Sequence, residues 1–330
     1  MAFDIVELQS FQKTFDGRFE VFWNNKLRAI GNIAGDNTIV CDVLHLARSV
    51  SLGGKRLRPY LGYIGYMIAR DSTGGGASDF ASGCIDDIDC WNIDIVDRLI
   101  GLEFFHSYAL IHDDIMDRSL LRHDVPTVHI AAKNLAACDN DYIDLDHTGQ
   151  SFGILAGDML FAWAHEMLFA GLEPAMLQKV AARFSVMSEE VIAGQMIDIY
   201  LSTKTQEQVL FSEIEQKNIL KTARYTFVHP LIIGASLSVE PIDEYIRFFE
   251  SIGLDLGIAF QIQDDFYDIV ADVEENQHTF FSIEPESFEY GLMICNEKIN
   301  NAKKLIEAID IAPVARKMLI DIANAIPPDT

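Results

Sequence analysis

Apolar residues recur at three- and four-residue steps through most of this 330-residue chain, the period of a helix buried along one face. The clearest run covers residues 95–117, where Leu99, Leu102, His106, Ala109, Asp113 and Asp117 fall on one stripe. Further helices are expected over residues 152–169, 177–201, 213–237 and 242–270. Strand signals are sparse: β-branched alternation is short, and only Asp16-Gly17 offers a hairpin-type dipeptide. The expected fold is all-α. With 49% hydrophobic residues the chain can bury a large core. Two polar, turn-rich breaks, residues 71–89 and 138–150, read as surface excursions within a single domain over residues 1–330.

Fifty acidic residues against 25 basic ones give a formal net charge of −25. That balance excludes nucleic acid and anionic membrane surfaces as partners of the bare protein. It also means that an anionic substrate needs a metal, and that the basic run Lys55-Arg56-Leu57-Arg58 is informative. Cys41, Cys84, Cys90, Cys138 and Cys295 contain no Cys-x-x-Cys pair, so neither a disulfide framework nor a zinc site is suggested, and a reducing cytoplasm fits. Residues 1–9 carry acidic groups where a signal peptide carries basic ones, and no apolar run is expected to reach the length of a membrane span. No stable membrane insertion is expected.

Two acidic clusters share one spacing: Asp113-Asp114-Ile115-Met116-Asp117 and Asp264-Asp265-Phe266-Tyr267-Asp268. On a helix the first and last carboxylates of each stack one turn apart, with the middle one beside them. Carboxylates so crowded repel unless hard cations bridge them, and Mg²⁺ takes one or two carboxylates together with phosphate oxygens. Taken singly, each cluster could be a solvated helix face. Each, however, follows an apolar helical stretch, residues 108–112 and 257–263, which favours a cavity over bulk water. Two facing clusters would cradle a metal-bound diphosphate.

These clusters, together with Gly53-Gly54-Lys55-Arg56-Leu57-Arg58-Pro59, residues 106–129, Gly157-Asp158, Gly194-Gln195-Met196-Ile197-Asp198, Lys221-Thr222-Ala223 and residues 260–268, resemble the trans-isoprenyl diphosphate synthases of the farnesyl/geranylgeranyl type. The resemblance implies about ten helices around a deep central cavity, a homodimer, and condensation of an allylic diphosphate with isopentenyl diphosphate. By motif, it places Asp113 and Asp117 on two Mg²⁺ ions and Asp264 on a third, supported by Asp114 and Asp268. Lys55, Arg58 and His106 match the isopentenyl diphosphate pocket, while Arg122, Lys221, Thr222 and Gln261 match positions around the allylic diphosphate. His106 alone would read as a core histidine; the resemblance assigns it to the pocket. Small Ala109, with bulky Tyr108 and Phe105 below Asp113, resembles the geranylgeranyl arrangement and implies mainly a twenty-carbon product, with fifteen carbons next.

The pattern breaks twice. The family's Arg-Arg-Gly reads Arg122-His123-Asp124, and its two lysines after the second cluster are replaced by His278 and a serine near position 287, Ser287. Both losses weaken diphosphate binding and ionisation. They leave open a class I terpene synthase-like enzyme that ionises an allylic diphosphate without isopentenyl diphosphate, and a weakly active regulatory subunit of a heteromeric synthase. A carboxylate-bridged di-iron bundle, from Glu103/His106 and Glu275/His278, is the remote alternative.

Overall fold

The computed structural model describes residues 5–71, 91–136, 144–238, 242–270 and 287–326; within them the side chains of residues 71, 206, 267–270 and 287–288 are outside the described set. In chain order the elements are α1 (Val6–Ala34), α2 (Ile39–Ser51), α3 (Leu57–Asp71), α4 (Ile93–Met116), a hairpin of β1 (Leu121–Arg122) and β2 (Val125–Pro126), and α5 (Val128–Leu135). They continue with α6 (Leu145–Phe169), α7 (Pro174–Ser202), α8 (Phe211–Asn218), a π-helical segment (Ile219–Val228), α9 (His229–Ser236), α10 (Asp243–Val270), α11 (Ser287–Ala308) and α12 (Pro313–Ala325). The fold is all-α, as the apolar period predicts. The described residues group into two compact units.

One unit holds α1 from Phe11 onward, α2, α4, the hairpin, α5 and α6. Its core follows from a four-residue period in α1: Phe11, Phe15, Phe19 and Trp23 are all fully buried. Phe19 lies 5.2 Å from Phe104 of α4, and Trp23 meets Trp163 of α6 edge-on at 5.3 Å. Each such side chain contributes roughly 1.5–3 kcal/mol by leaving water. Asn92 caps α4 by accepting from the Ile95 N–H, and Asp144 caps α6 by accepting from that of His147. Helices α4 and α6 approach closely at Gly101, where a Cβ would stand 2.7 Å from the Ala164 carbonyl oxygen.

The other unit holds the first turn of α1, then α3, α7 to α12 and the π segment. Here α3 and α9 cross with almost no side chain between them, since a Cβ on Gly234 would fall 1.7 Å from the Gly62 carbonyl oxygen. Helix α10 lies against the π segment through Gly257, whose Cβ would stand 2.5 Å from Ala223 Cα.

Four local expectations change. Residues 213–237 are not one α-helix but α8, the π segment and α9 in succession. Of the polar break at 138–150, residues from Asp144 onward are the cap and first turns of α6; aspartates that resemble a loop are serving a helix N-terminus. The two-stranded hairpin at 121–126 was marked by no strand signal, and its turn residues His123 and Asp124 both have positive φ (48° and 63°). Finally, α6 is long and apolar enough to cross a membrane by length and composition; its exposed Asp158 and Glu166 mask that property in the sequence. Of the break at 71–89, Asp71 closes α3 and the remainder lies outside the described residues.

Candidate active site

In the first unit, the residues singled out in the sequence converge on the C-terminal half of α4. A cavity of about 300 Å³ is lined by the Gly53-Gly54 loop, Glu103, His106 and Leu110 of α4, and Arg122 and His123 of the hairpin. The loop is built on Arg56, which the sequence reading passed over. Arg56 is 2% exposed and takes the left-handed conformation (φ 55°). Its Nη1 donates to Glu103 Oε1 and to the Ser51 carbonyl at 2.8 and 2.7 Å, and Nε donates to Asp16 at 2.8 Å. The guanidinium also lies 5.3 and 5.5 Å from the Phe15 and Phe19 rings. A buried cation so tied anchors the backbone that carries Gly54 and Lys55. A Cβ on Gly54 would stand 3.1 Å from Glu103 Oε1, so a side chain here would press on this ion pair. Lys55 is half-buried, and its carbonyl accepts from Gln12 Nε2 at 2.6 Å.

The first aspartate cluster sits where α4 ends. Asp113 is half-buried in the last turn, and exposed Asp117 is the C-cap. No basic residue stands in that turn, so the carboxylates oppose the negative end of the helix dipole. Asp114 differs from both: it is 2% exposed and bound by Arg122, through Nε at 3.1 Å to each oxygen and through Nη2 at 2.8 Å. Burial pushes the Asp114 carboxyl above its ordinary range although Arg122 opposes it. This pair ties the hairpin to α4 through Arg122 Nε and Nη2. Thr127 Oγ1 secures the hairpin's far side by donating to the Ser119 carbonyl at 2.8 Å.

Below the cluster, the rings of fully buried Phe105 and half-buried Tyr108 meet tilted, 5.5 Å apart, and Tyr108 lies 4.9 Å from Phe161 of α6. Phe161 is a further aromatic of this wall that the sequence did not announce. Burial, then Asp158, raises the Tyr108 pKa. Ala109 is half-buried beside them.

In the second unit, Asp264 is exposed on α10 and Asp265 is 4% exposed. Gln261 Nε2 donates to Asp265 at 2.6 Å. The Asp268 backbone continues α10, but its side chain, His278, Glu275 and the Ser287 side chain lie outside the described residues. Lys221 and Thr222 ride on the π segment, where Lys221 Nζ donates to Asp198 of α7 at 2.6 Å. Arg58 donates to Thr226 Oγ1 at 2.9 Å, with its guanidinium 4.4 Å from the Tyr225 ring centroid. Its buried Nε makes no hydrogen bond among the described residues.

The donors fit a hard cation better than a soft one. Among the described residues, no trio of Asp, Glu, His or Cys is gathered closely enough to hold a metal by itself. Carboxylates in ones and twos suit Mg²⁺, which completes its shell with water and phosphate oxygens.

The model of the polyprenyl synthetase family matches residues 43–282. The chain belongs to this family. The geranylgeranyl diphosphate synthase of Sulfolobus acidocaldarius is 27% identical over 285 residues, covering 83% of this chain and 73% of that one. The geranylfarnesyl diphosphate synthase of Natronomonas pharaonis is 26% identical over 297 residues, covering 83% and 79%. Among solved structures, a geranylgeranyl pyrophosphate synthase from Corynebacterium glutamicum, complexed with isoprenyl diphosphate and magnesium, superposes with a TM-score of 0.79 at 26% identity over 97% of this chain and 99% of that one. This polyprenyl synthetase is thus a prenyltransferase of the trans-isoprenyl diphosphate synthase type. Its family acts on allylic and isopentenyl diphosphates with Mg²⁺.

Proposed function

We propose that this prenyltransferase joins an allylic diphosphate to isopentenyl diphosphate and releases mainly geranylgeranyl diphosphate, with farnesyl diphosphate the next product. The observation that carries the reading is the cavity beside the C-terminal end of α4, where the Gly53-Gly54 loop, His106 and the Arg122-His123 turn meet. Gly53, Gly54 and Lys55 offer backbone N–H groups and a cation to the isopentenyl diphosphate, with His106 opposite and Arg58 as a second cation. Arg122, Lys221, Thr222 and Gln261 hold the allylic diphosphate.

Asp113 and Asp117 would hold two Mg²⁺ and Asp264 a third, with Asp114 and Asp268 in support. When bound, these ions neutralise the charge that builds on the departing pyrophosphate. Lys221 and Arg122 add fixed positive charge on the same oxygens, where it acts most strongly as the C–O bond lengthens. The apolar wall of Phe105, Tyr108 and Phe161 keeps water from the allylic cation while the double bond of isopentenyl diphosphate attacks it. The C–C bond forms, and a proton leaves to the released pyrophosphate. Ala109 leaves room for the growing chain, and Tyr108 sets its limit.

The chain forms one synthase domain over residues 1–330 and acts as a homodimer in the cytoplasm. The relatives from S. acidocaldarius, Methanosarcina mazei and N. pharaonis and the C. glutamicum enzyme are named for geranylgeranyl or geranylfarnesyl diphosphate, which supports a product of that size. Purified protein with Mg²⁺ and dimethylallyl, geranyl or farnesyl diphosphate, with and without isopentenyl diphosphate, tests the reading. Elongation that requires both substrates supports it. Hydrocarbon or alcohol from the allylic substrate alone would establish a terpene synthase activity instead.

A further inference from the structure

A π-helix has poorer hydrogen-bond geometry than an α-helix and is rarely long. The ten-residue π segment therefore needs outside support. One stripe of α7 supplies it: Glu190, Gly194 and Asp198 stand at four-residue steps. Glu190 Oε2 accepts from Arg224 Nε at 2.6 Å and pairs with His229 Nε2 at 2.7 Å. Asp198 accepts from Lys221 at 2.6 Å and lies 3.3 Å from Lys217. Between them, the missing Cβ of Gly194 would stand 2.8 Å from the Lys221 nitrogen, so α7 and the π segment touch backbone to backbone. Arg224 lies two residues past Thr222, and His229 is the first residue of α9. Glu190 thus grips both the second half of the wide turn and its exit.

We propose that Glu190 is a positioning residue for the allylic diphosphate: it fixes the π register in which Lys221 and Thr222 face that substrate. The inference rests on the proposed contact of Lys221 and Thr222 with the allylic diphosphate. Its physical basis is angular. Relaxing the wide turn to an α-helix absorbs one residue, about 100° of rotation, and swings Lys221 away from Asp198. His229 strengthens the grip. It is fully buried, its Nδ1 has no hydrogen bond among the described residues, and burial pushes its pKa down against the pull of Glu190. Because a carboxylate oxygen accepts, Nε2 is the donor of this contact.

Glu190→Gln, which keeps the shape, and Glu190→Ala are compared with Lys221→Ala in the full-length enzyme. Circular dichroism and Tm verify folding, and KM is measured separately for the two substrates. We expect both Glu190 variants to raise the allylic KM, Glu190→Ala about tenfold because a small misplacement of a binding group suffices, with the isopentenyl diphosphate KM within about twofold. Glu190→Ala in the Lys221→Ala background should then add little, since both act on one contact. A folded Glu190→Gln and Glu190→Ala pair with an unchanged allylic KM, or with both substrates' KM raised alike, overturns the proposal. If Lys221→Ala itself leaves the allylic KM unchanged, the assignment of Lys221 fails first and takes this inference with it.

Discussion

His123 stands at the hairpin tip with φ 48° and lines the cavity beside His106. Replacing it with Arg puts a permanent guanidinium there, which accepts a diphosphate through a charge-assisted bond. A hydrogen bond to a charged group is worth about 1.5–3 kcal/mol net. Because His123 is exposed, solvent screening favours the lower end, about 1.4 kcal/mol, or a tenfold lower KM for isopentenyl diphosphate. The backbone sets a limit: a non-glycine residue at left-handed φ costs roughly 1 kcal/mol, and Arg gains nothing over His there. Asp124, at φ 63°, carries the same strain and adds a negative charge. Asp124→Gly should therefore stabilise the fold by about 1 kcal/mol, near 2 °C in Tm for a chain of this size. Steady-state kinetics of the His123→Arg, Asp124→Gly and double variants, at low and high salt, measure both effects. We expect the isopentenyl diphosphate KM of His123→Arg to fall and the allylic KM to hold, with the gain shrinking as salt rises. An isopentenyl diphosphate KM that stays put in a folded His123→Arg variant would mean that the tip lies away from the diphosphate.

Tyr108→Ala removes a ring that rests on Phe105 and Phe161. It should shift products toward longer chains in a chromatographic assay and lower stability by about 1–3 kcal/mol, less than a fully buried aromatic loses. Lost stability with the same product distribution would show that Tyr108 only packs. A pH effect follows from Glu190, whose carboxyl is pulled from 4.5 to about 2; burial raises it, but hydrogen bonds from His229 and Arg224 outweigh burial. A depressed carboxylate stabilises the fold fully above its unfolded pKa near 4.5 and loses that contribution as pH falls toward 2. Discounted for partial exposure, the loss is about 1–2 kcal/mol. Urea unfolding between pH 5 and 2.5 should show it, and Glu190→Gln should flatten it; equal slopes in both proteins would refute the linkage.

The helices were legible because burial along one face writes a 3.6-residue period into the sequence. The long runs over residues 95–117, 177–201 and 242–270 lie within three residues of α4, α7 and α10 at both ends, and the run over 152–169 ends with α6 but misses its first seven residues. What failed to show is local. Asp144 and Asp146 look like loop residues because the groups that favour turns also favour helix N-termini. The hairpin stayed hidden because its turn uses His123-Asp124 where Asn-Gly would signal it. No periodicity marks the π segment, whose width depends on carboxylates of α7 distant in sequence. Arg56 sits inside a recognised motif, yet its burial depends on Glu103 and Asp16, so the motif alone assigns its neighbours and passes it over. The acidic clusters themselves were plain from spacing, while the distinct environment of Asp114 emerged only with its Arg122 partner.

That difference within the first cluster leads to a test with opposite signs. Asp113 and Asp117 stand at the negative end of α4 with no basic residue in its last turn. A carboxylate so placed costs about 0.3–1 kcal/mol, and a like charge one turn away adds roughly 0.2–0.5 kcal/mol. Removing one charge by Asp113→Asn relieves that repulsion but also gives up the attraction of the nearby Arg122, so stability in EDTA should rise by no more than about 0.5 kcal/mol. The same change removes a proposed Mg²⁺ ligand, so activity should fall by at least about a hundredfold. In Mg²⁺ and pyrophosphate the order reverses. Ligand at a hundred times its Kd adds about 2.7 kcal/mol to the wild type, and the variant gains little. Thermal unfolding in the two buffers reads this crossing directly. If Asp113→Asn is less stable in EDTA, its carboxylate serves the fold; if it gains as much as wild type from Mg²⁺ and pyrophosphate, the metal lies elsewhere. A residue that weakens its own helix and strengthens the protein only when ligand is present is placed by selection for binding, and the crossing separates that from a merely acidic surface.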